Sequence, residues 1–210
     1  VFYISLGVIF AVERYAKTLM EVVERYGIEV QFSHHLVGVD ADQKQATFEN
    51  LDDGSKVVVD YDMMHVVPHQ SAPDWVKTSP LSTDEPTGYV DVDKHTLQHV
   101  RYPNVFALGD AGSTPNSKTG AAVRKQAPVV AANVLRQLES KDPTERYSGY
   151  ASCPLTTSGH AMLLAEFDYS MQHKPSFPII DLTKPRRDMW YLKKYGLPFL
   201  YWNGMLKGHG

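Results

Sequence analysis

The stretch Asn104–Gly112, NVFALGDAG, constrains this chain more than any other. Val105-Phe106-Ala107-Leu108 is a continuous apolar run, the pattern of a short buried strand, and it stops abruptly on Gly109-Asp110. A loop over 111–117 follows, and a long helix is predicted over about 118–138, with Ala122, Val123, Gln126, Val130, Asn133, Val134 and Leu138 as inner positions. Strand, glycine-carboxylate turn, loop and helix in that order make a βα unit, and doubly wound sheets place their ligand at the carboxyl end of such a strand. Gly109 lets a ligand approach the backbone closely, and Asp110 can accept from a sugar-type hydroxyl. The helix start near Lys118, Thr119 and Gly120 presents free N–H groups and a positive dipole end, which favours an anion. Gly-Asp is also a common turn dipeptide, so a plain turn or N-cap role for Asp110 competes with this reading.

The flanking sequence supports an α/β chain. A helix is predicted near 11–26, where Val12, Tyr15, Leu19, Val22, Val23 and Tyr26 recur at three- and four-residue steps and Gly27 provides the stop. Residues 28–42 alternate as a strand does. A hairpin is expected around Asp53-Gly54, followed by a buried strand from Met63 to Val67. This order is the back half of a nucleotide-binding domain, and the opening strand and glycine-rich turn are expected to lie outside the chain. Pro68, Pro73, Pro80 and Pro86 mark residues 68–88 as a crossover linker, and Tyr89, Val90 and Val92 read as a short strand. Pro128 should kink the long helix or remove one of its backbone bonds. Beyond Pro143 the chain turns aromatic- and proline-rich, with weak periodicity. The expected divisions are 1–78, 79–145 and 146–210.

Composition excludes several classes. A formal net charge of −3 leaves no overall basic field, so no nucleic-acid partner is expected. The single cysteine, Cys153, rules out an internal disulfide within one copy and any cysteine-only metal site. No stretch approaches the roughly 20 apolar residues of a spanning helix, and no signal peptide is visible. His34 and His35 point to opposite faces of a strand, and Pro68 separates His65 from His69, so no metal site is expected.

Several stretches together resemble one flavoprotein family. YPNVFALGDAGSTPNSKTGAAVRKQAPVVAANV looks like the last FAD-contacting segment of the two-dinucleotide-domain flavoproteins. YSGYASCPLTTSGHAMLLAEFDY and LPFLYWNGMLKG are more specific and resemble the C-terminal region of sulfide:quinone oxidoreductases, in particular their mitochondrial-like branch. SLGVIFAVERYAKTL, ATFENLD and YVDVDKHTLQHVRYPNVF look like the same branch, so the resemblance runs from about Ser5 to Gly208 and corresponds to the second half of a family member. It implies a partial two-dinucleotide-binding-domain, Rossmann-like α/β fold with a C-terminal aromatic-rich segment. Under it, 1–78 are the back half of the second, NAD-type domain, 79–145 the returning strand and helix of the FAD domain, and 146–210 the redox-cysteine and membrane segment.

The resemblance further implies that Gly109 and Asp110 meet the ribityl–pyrophosphate region of FAD, and that Lys118, Thr119 and Gly120 lie near its pyrimidine edge. Pro68 would sit at the family's return crossover near the flavin; a simple strand terminator is the competing role. Cys153, in Ser152-Cys153-Pro154-Leu155, matches the second of two redox cysteines, whose partner would lie in the missing N-terminal half. In the family, hydrosulfide attacks the bridge between the two, leaves a persulfide, and two electrons pass to FAD and then to a quinone. Such chemistry calls for a cation or helix end that depresses the thiol pKa; a buried structural cysteine is the alternative. The tail MWYLKKYGLPFLYWNGMLKGHG suits the headgroup boundary as a monotopic anchor, and Phe167, Tyr169, Phe199, Tyr201 and Trp202 are candidate quinone or membrane contacts. Core or dimer contacts are the alternative for these rings, and exposed apolar faces would favour homo-oligomers. A peripheral place on a bacterial or mitochondrial inner membrane follows from the resemblance. A type II NADH:quinone oxidoreductase-like flavoprotein, or a non-catalytic fragment, are the competing functions.

Overall fold

The structure, a computed structural model, describes residues 1–209 and divides into two compact units, Val1–Pro68 and the residues from His69 onward. The boundaries expected at 78/79 and 145/146 both fall inside the second unit.

In the first unit, β1 (Phe2–Ile4) pairs in parallel with β2 (Val30–Phe32), and α1 (Glu13–Arg25) connects them. Tyr15 and Val23, eight residues apart, share the buried face of α1, while Glu13, Arg14, Lys17, Glu21 and Glu24 are exposed. Gly27 ends the helix at φ +61°, its N–H reaching the Glu24 carbonyl at 2.9 Å. The strands β3 (His34–Asp40), β4 (Gln45–Asn50) and β5 (Lys56–Asp60) form an antiparallel meander whose last turn surrounds Asp53-Gly54 as expected. Val12, Tyr15, Val23, Ala46 and Phe48 are buried here, and the Tyr3 ring stacks on Phe48 with centroids 3.8 Å apart.

Three expectations for this unit change. The β1 strand was missed, because three residues are too few for alternation to register. The alternating run over 28–42 is two strands, broken at Ser33, whose φ is +58°. Met63–Val67 is not a buried strand: Met63 is 89% exposed and Val67 79%. The β4–β5 ladder ends at the Gln45–Asp60 pair, and no strand among the described residues offers backbone groups to the apolar run beyond it. An apolar run becomes a strand only when neighbours satisfy its N–H and C=O groups.

In the second unit the expected linker carries a short helix, α2 (Asp74–Lys77), begun by Pro73. Its Val76 packs with Ala72, Val90, Val92 and Ala107 in one apolar cluster, so this segment builds core as well as connecting. Val90, Val92 and Phe106 make isolated bridges, to Ser82 and Gly112, to His99 and to Gln98, where continuous strands were expected. The run 105–108 is therefore extended chain with single-bridge support, Ala107 inward and Phe106 half-buried. α3 (Gly120–Leu138) runs unbroken through the exposed Pro128. Of its expected inner positions Ala122, Gln126 and Asn133 are buried, Val123, Val130 and Val134 half-buried, and Leu138, its last residue, is exposed.

After residue 146 the sequence reading had no regular elements, yet β6 (Ala151–Ser158) and β7 (Ala161–Phe167) form an antiparallel hairpin. Every residue of β7 from Met162 to Phe167 is buried, so no alternation betrays it. α4 (Arg187–Tyr191), a π-helical turn over Leu192–Gly196 and α5 (Leu197–Asn203) follow. Met189 of α4 seats against Met162, Leu164 and Leu182, with Trp190 and Leu192 around them.

Candidate functional site

At the end of the extended run, Leu108 is still fully extended (φ −142°, ψ 169°) and Gly109–Ala111 close a single 3₁₀ turn. Gly109 takes φ +63°, a region costly for any residue with a Cβ, and a Cβ there would stand 3.0 Å from Cγ2 of Val123. Its N–H donates to Oε1 of Gln126 at 2.7 Å, one turn and a half into α3, so a fully buried amide side chain holds the turn against the helix. The returning loop is pinned to Val90 on both sides, Val90 N–H to the Ala111 carbonyl and Ser113 N–H to the Val90 carbonyl, each at 2.9 Å.

Within that loop two buried oxygens lack a partner, the Thr114 hydroxyl and Oδ1 of Asn116. A native fold rarely leaves buried polar atoms unmet, and such atoms mark places where another group completes the bonding. Lys118 is partly buried beside them. Its ammonium donates to the Gly112 carbonyl and lies 4.0 Å from the centroid of the Tyr89 ring. Burial pushes the Lys118 pKa down, partly opposed by the Asp110 carboxylate, so an additional anion at this point would be welcome. Thr119 is the N-cap of α3, accepting from Ala122 N–H at 3.2 Å. The first-turn amides of Gly120 and Ala121 have no intrahelical acceptor, and open space surrounds Gly120. The exposed Asp110 completes the rim.

The donor set fits the group the sequence suggested. Fixed amides, an ammonium and a helix start favour the electron-rich edge of a flavin, unmet oxygens suit N–H or O–H donors, and a carboxylate suits sugar-type hydroxyls. The structure thus brings Gly109, Asp110, Lys118, Thr119 and Gly120 into one turn–loop–helix start. Pro68 is exposed and is the last residue of the first unit.

Cys153 lies on β6 opposite Ala165 of β7, half-buried. Burial pushes its thiol pKa up, which reverses the expectation of a thiol depressed by a cation or helix end. An ammonium binds the same strand: Lys193 donates to the Pro154 carbonyl at 2.9 Å and to the Thr156 hydroxyl at 2.7 Å, which takes two of its three donors.

The five aromatic candidates are not assembled into one pocket. Phe167 is 3% exposed within β7. Tyr169 donates its hydroxyl to the Lys94 carbonyl at 2.7 Å and sets its ring edge-on to His95 and Tyr147, and burial pushes its pKa well up. Phe199, Tyr201 and Trp202 project from α5 into solvent, at 69%, 44% and 65% exposure. No helix among the described residues is long and apolar enough to cross a membrane.

Sequence reasoning overlooked the residues between turn and hairpin. Asn116 Nδ2 donates to the Tyr147 hydroxyl at 2.7 Å, and that hydroxyl donates to the Tyr150 carbonyl at 2.5 Å. Tyr150 in turn donates to the buried Glu166 carboxylate, which also accepts the Ser176 amide at 2.9 Å. A signal was present: Gln126 and Asn133, seven apart, are amides on the inner face of α3, and a buried amide needs partners.

These elements make up part of a mixed α/β, Rossmann-like fold. No protein-family profile matches the chain. The fold aligns with the X-ray structure of the sulfide:quinone oxidoreductase from Aquifex aeolicus at a TM-score of 0.71 and 16% identity, over 96% of this chain and 49% of that one. A chain in the cryo-EM structure of the Tetrahymena thermophila mitochondrial ATP synthase aligns at 0.78 and 25% identity, over 95% of this chain and 48% of that one. In sequence the chain resembles the mitochondrial sulfide:quinone oxidoreductases. It is 43% identical over 210 residues to that of Mus musculus, the whole of this chain and 46% of the mouse protein. It is 44% identical over 199 residues to that of Dictyostelium discoideum, 95% of this chain and 43% of the relative. The chain therefore spans about half the length of the relatives it matches.

Proposed function

We propose that the chain is the carboxyl-terminal half of a membrane-associated, FAD-dependent sulfide:quinone oxidoreductase, which oxidises sulfide to protein-bound sulfane sulfur and passes the electrons to a quinone. The observation that carries this reading is the 43% identity along the entire chain, with Cys153 in place on its strand. Bound at the Gly109 turn, FAD would supply the two-electron acceptor the reaction needs. The Asp110 carboxylate would accept from its sugar-type hydroxyls, and Lys118 with the first amides of α3 would offset its negative charge. Cys153 serves as one sulfur of a pair whose other member lies in the amino-terminal half. Attack by hydrosulfide on that bridge breaks the S–S bond, leaving a persulfide on one sulfur and a thiolate on the other. The half-buried strand shelters the persulfide from water.

The exposed Phe199, Tyr201 and Trp202, with Lys193, Lys194 and Lys207 nearby in sequence, form the membrane-facing segment, at an inner mitochondrial or bacterial surface. Changing Phe199 and Trp202 to Glu leaves the core untouched and should abolish liposome binding; undiminished binding removes the anchor.

The test of the whole reading is the visible spectrum of the purified full-length protein, followed by anaerobic additions. A flavin spectrum bleached by sulfide and not by NADH is expected. Bleaching by NADH alone would favour the type II NADH:quinone oxidoreductase-like alternative, and a colourless protein would overturn the flavoprotein assignment.

A further inference from the structure

The Tyr147 phenol is built into the fold at two points. Its oxygen accepts from Asn116 Nδ2 at 2.7 Å, and its proton goes to the Tyr150 carbonyl. The main chain of the same residue is clamped by one partner: Tyr147 N–H donates to the His95 carbonyl at 2.7 Å, and the His95 ring bonds the Tyr147 carbonyl at 3.0 Å. The ring is buried against Leu97 and Ala122.

Each hydrogen bond of the phenol leads to a different part of the candidate site. Asn116 belongs to the loop that carries the unmet oxygens. The Tyr150 carbonyl lies just beyond Ser148-Gly149, on the segment that delivers the chain into β6, three residues before Cys153. That segment tolerates no side chain at Gly149, which has φ +90° and where a Cβ would run into the Tyr169 ring. The chain entering the cysteine strand is thus held by the same hydroxyl that holds the loop after the Gly109 turn.

We infer that Tyr147 is a positioning residue that couples the conformation of the Gly109–Ser117 segment to the placement of Cys153, so that the cofactor turn and the sulfur-bearing strand adjust together. The inference rests on the reading of these two segments as flavin site and redox strand, but its mechanical content does not depend on the flavin. A shift of the Gly109–Ser117 segment moves Asn116, Asn116 moves the phenol, and the phenol moves the Tyr150 carbonyl. In the proposed enzyme this link would keep the Cys153 sulfur in register with the cofactor.

The experiment uses Tyr147→Phe in the purified full-length protein, which keeps the ring and removes only the shared hydroxyl. Thr157→Val is the control, since it deletes a buried hydroxyl on the same hairpin that is bonded to the Ala161 carbonyl. Three readouts are taken: hydrogen exchange at the Gly109 amide, iodoacetamide alkylation of Cys153 across pH, and the visible flavin band. Tyr147→Phe should speed Gly109 exchange and Cys153 alkylation together, each by roughly three- to tenfold, and shift the flavin band. Thr157→Val should leave the Gly109 exchange rate and the flavin band unchanged. If only one end responds, if neither does, or if the control moves both ends equally, the coupling is overturned. A protein without flavin would overturn the functional reading, while exchange and alkylation would still decide the coupling.

Discussion

Replacing Gly109 by Ala perturbs the candidate site at a point where the cost can be worked out. The φ of +63° is left-handed, and holding an L-residue there costs about 1–2 kcal/mol. The new Cβ meets Cγ2 of Val123 at 3.0 Å, closer than ordinary van der Waals contact, which adds about 1 kcal/mol unless the valine gives way. Gly109→Ala should therefore destabilise the second unit by about 2–3 kcal/mol, a loss of roughly 5–10 °C in Tm for a unit of this size. Urea unfolding with an unchanged m-value is the assay. The two contributions separate in a double-mutant cycle with Val123→Ala. Removing the valine methyls relieves the contact and leaves the backbone cost, so the double variant should be less than additive by about 1 kcal/mol. A loss below about 0.5 kcal/mol for Gly109→Ala would refute the assignment of the turn conformation, and strict additivity would refute the Val123 contact.

The remaining expectations concern named polar groups. Asn133→Ala strips acceptors or donors from four backbone groups, the Thr96 and Glu145 carbonyls and the Thr144 and Glu145 amides, and should cost about 2–4 kcal/mol by chemical denaturation, the exposure of 144 and 145 keeping it from being larger. Thr119→Ala removes the cap of α3 and should cost about 1 kcal/mol. Alkylation of Cys153 should accelerate with pH about a midpoint above the ordinary 9.0, and a midpoint below it would reveal a stabilising cation. Burial pushes the Tyr147 pKa from 10.0 up to about 12, so its contribution to stability is complete below pH 10 and lost as pH rises through 12. Tyr147→Phe should flatten that part of the alkaline stability profile, measured by circular dichroism.

How legible the fold was depended on how each element satisfies its backbone. α1 and α3 satisfy themselves internally, so periodicity and capping residues announced them, and Gly27 and Thr119 stand where the sequence put the ends. Strands need partners. Met63–Val67 has strand-like composition and no ladder, while β7 has a ladder and no alternation because it is buried throughout. The candidate site divides the same way. Gly109, Asp110, Lys118, Thr119 and Gly120 are consecutive or nearly so, and chain order alone gathers them. Phe167 and Phe199 were grouped by chemistry, but one is walled into a hairpin and the other stands in solvent.

By itself the sequence determined the glycine-carboxylate turn, the capped helix behind it and the cysteine in its motif, because each is a local arrangement written in adjacent residues. Tertiary structure decided the environment of those groups: that the Cys153 thiol is raised by burial, that Gln126 clasps Gly109, and that Asn116 and Tyr150 meet at one hydroxyl, that of Tyr147. Those two partners are 31 and 3 residues from Tyr147 along the chain. Desolvation and hydrogen bonding act through space over a few ångströms, and no residue carries in its own identity the distance at which folding will place its neighbours.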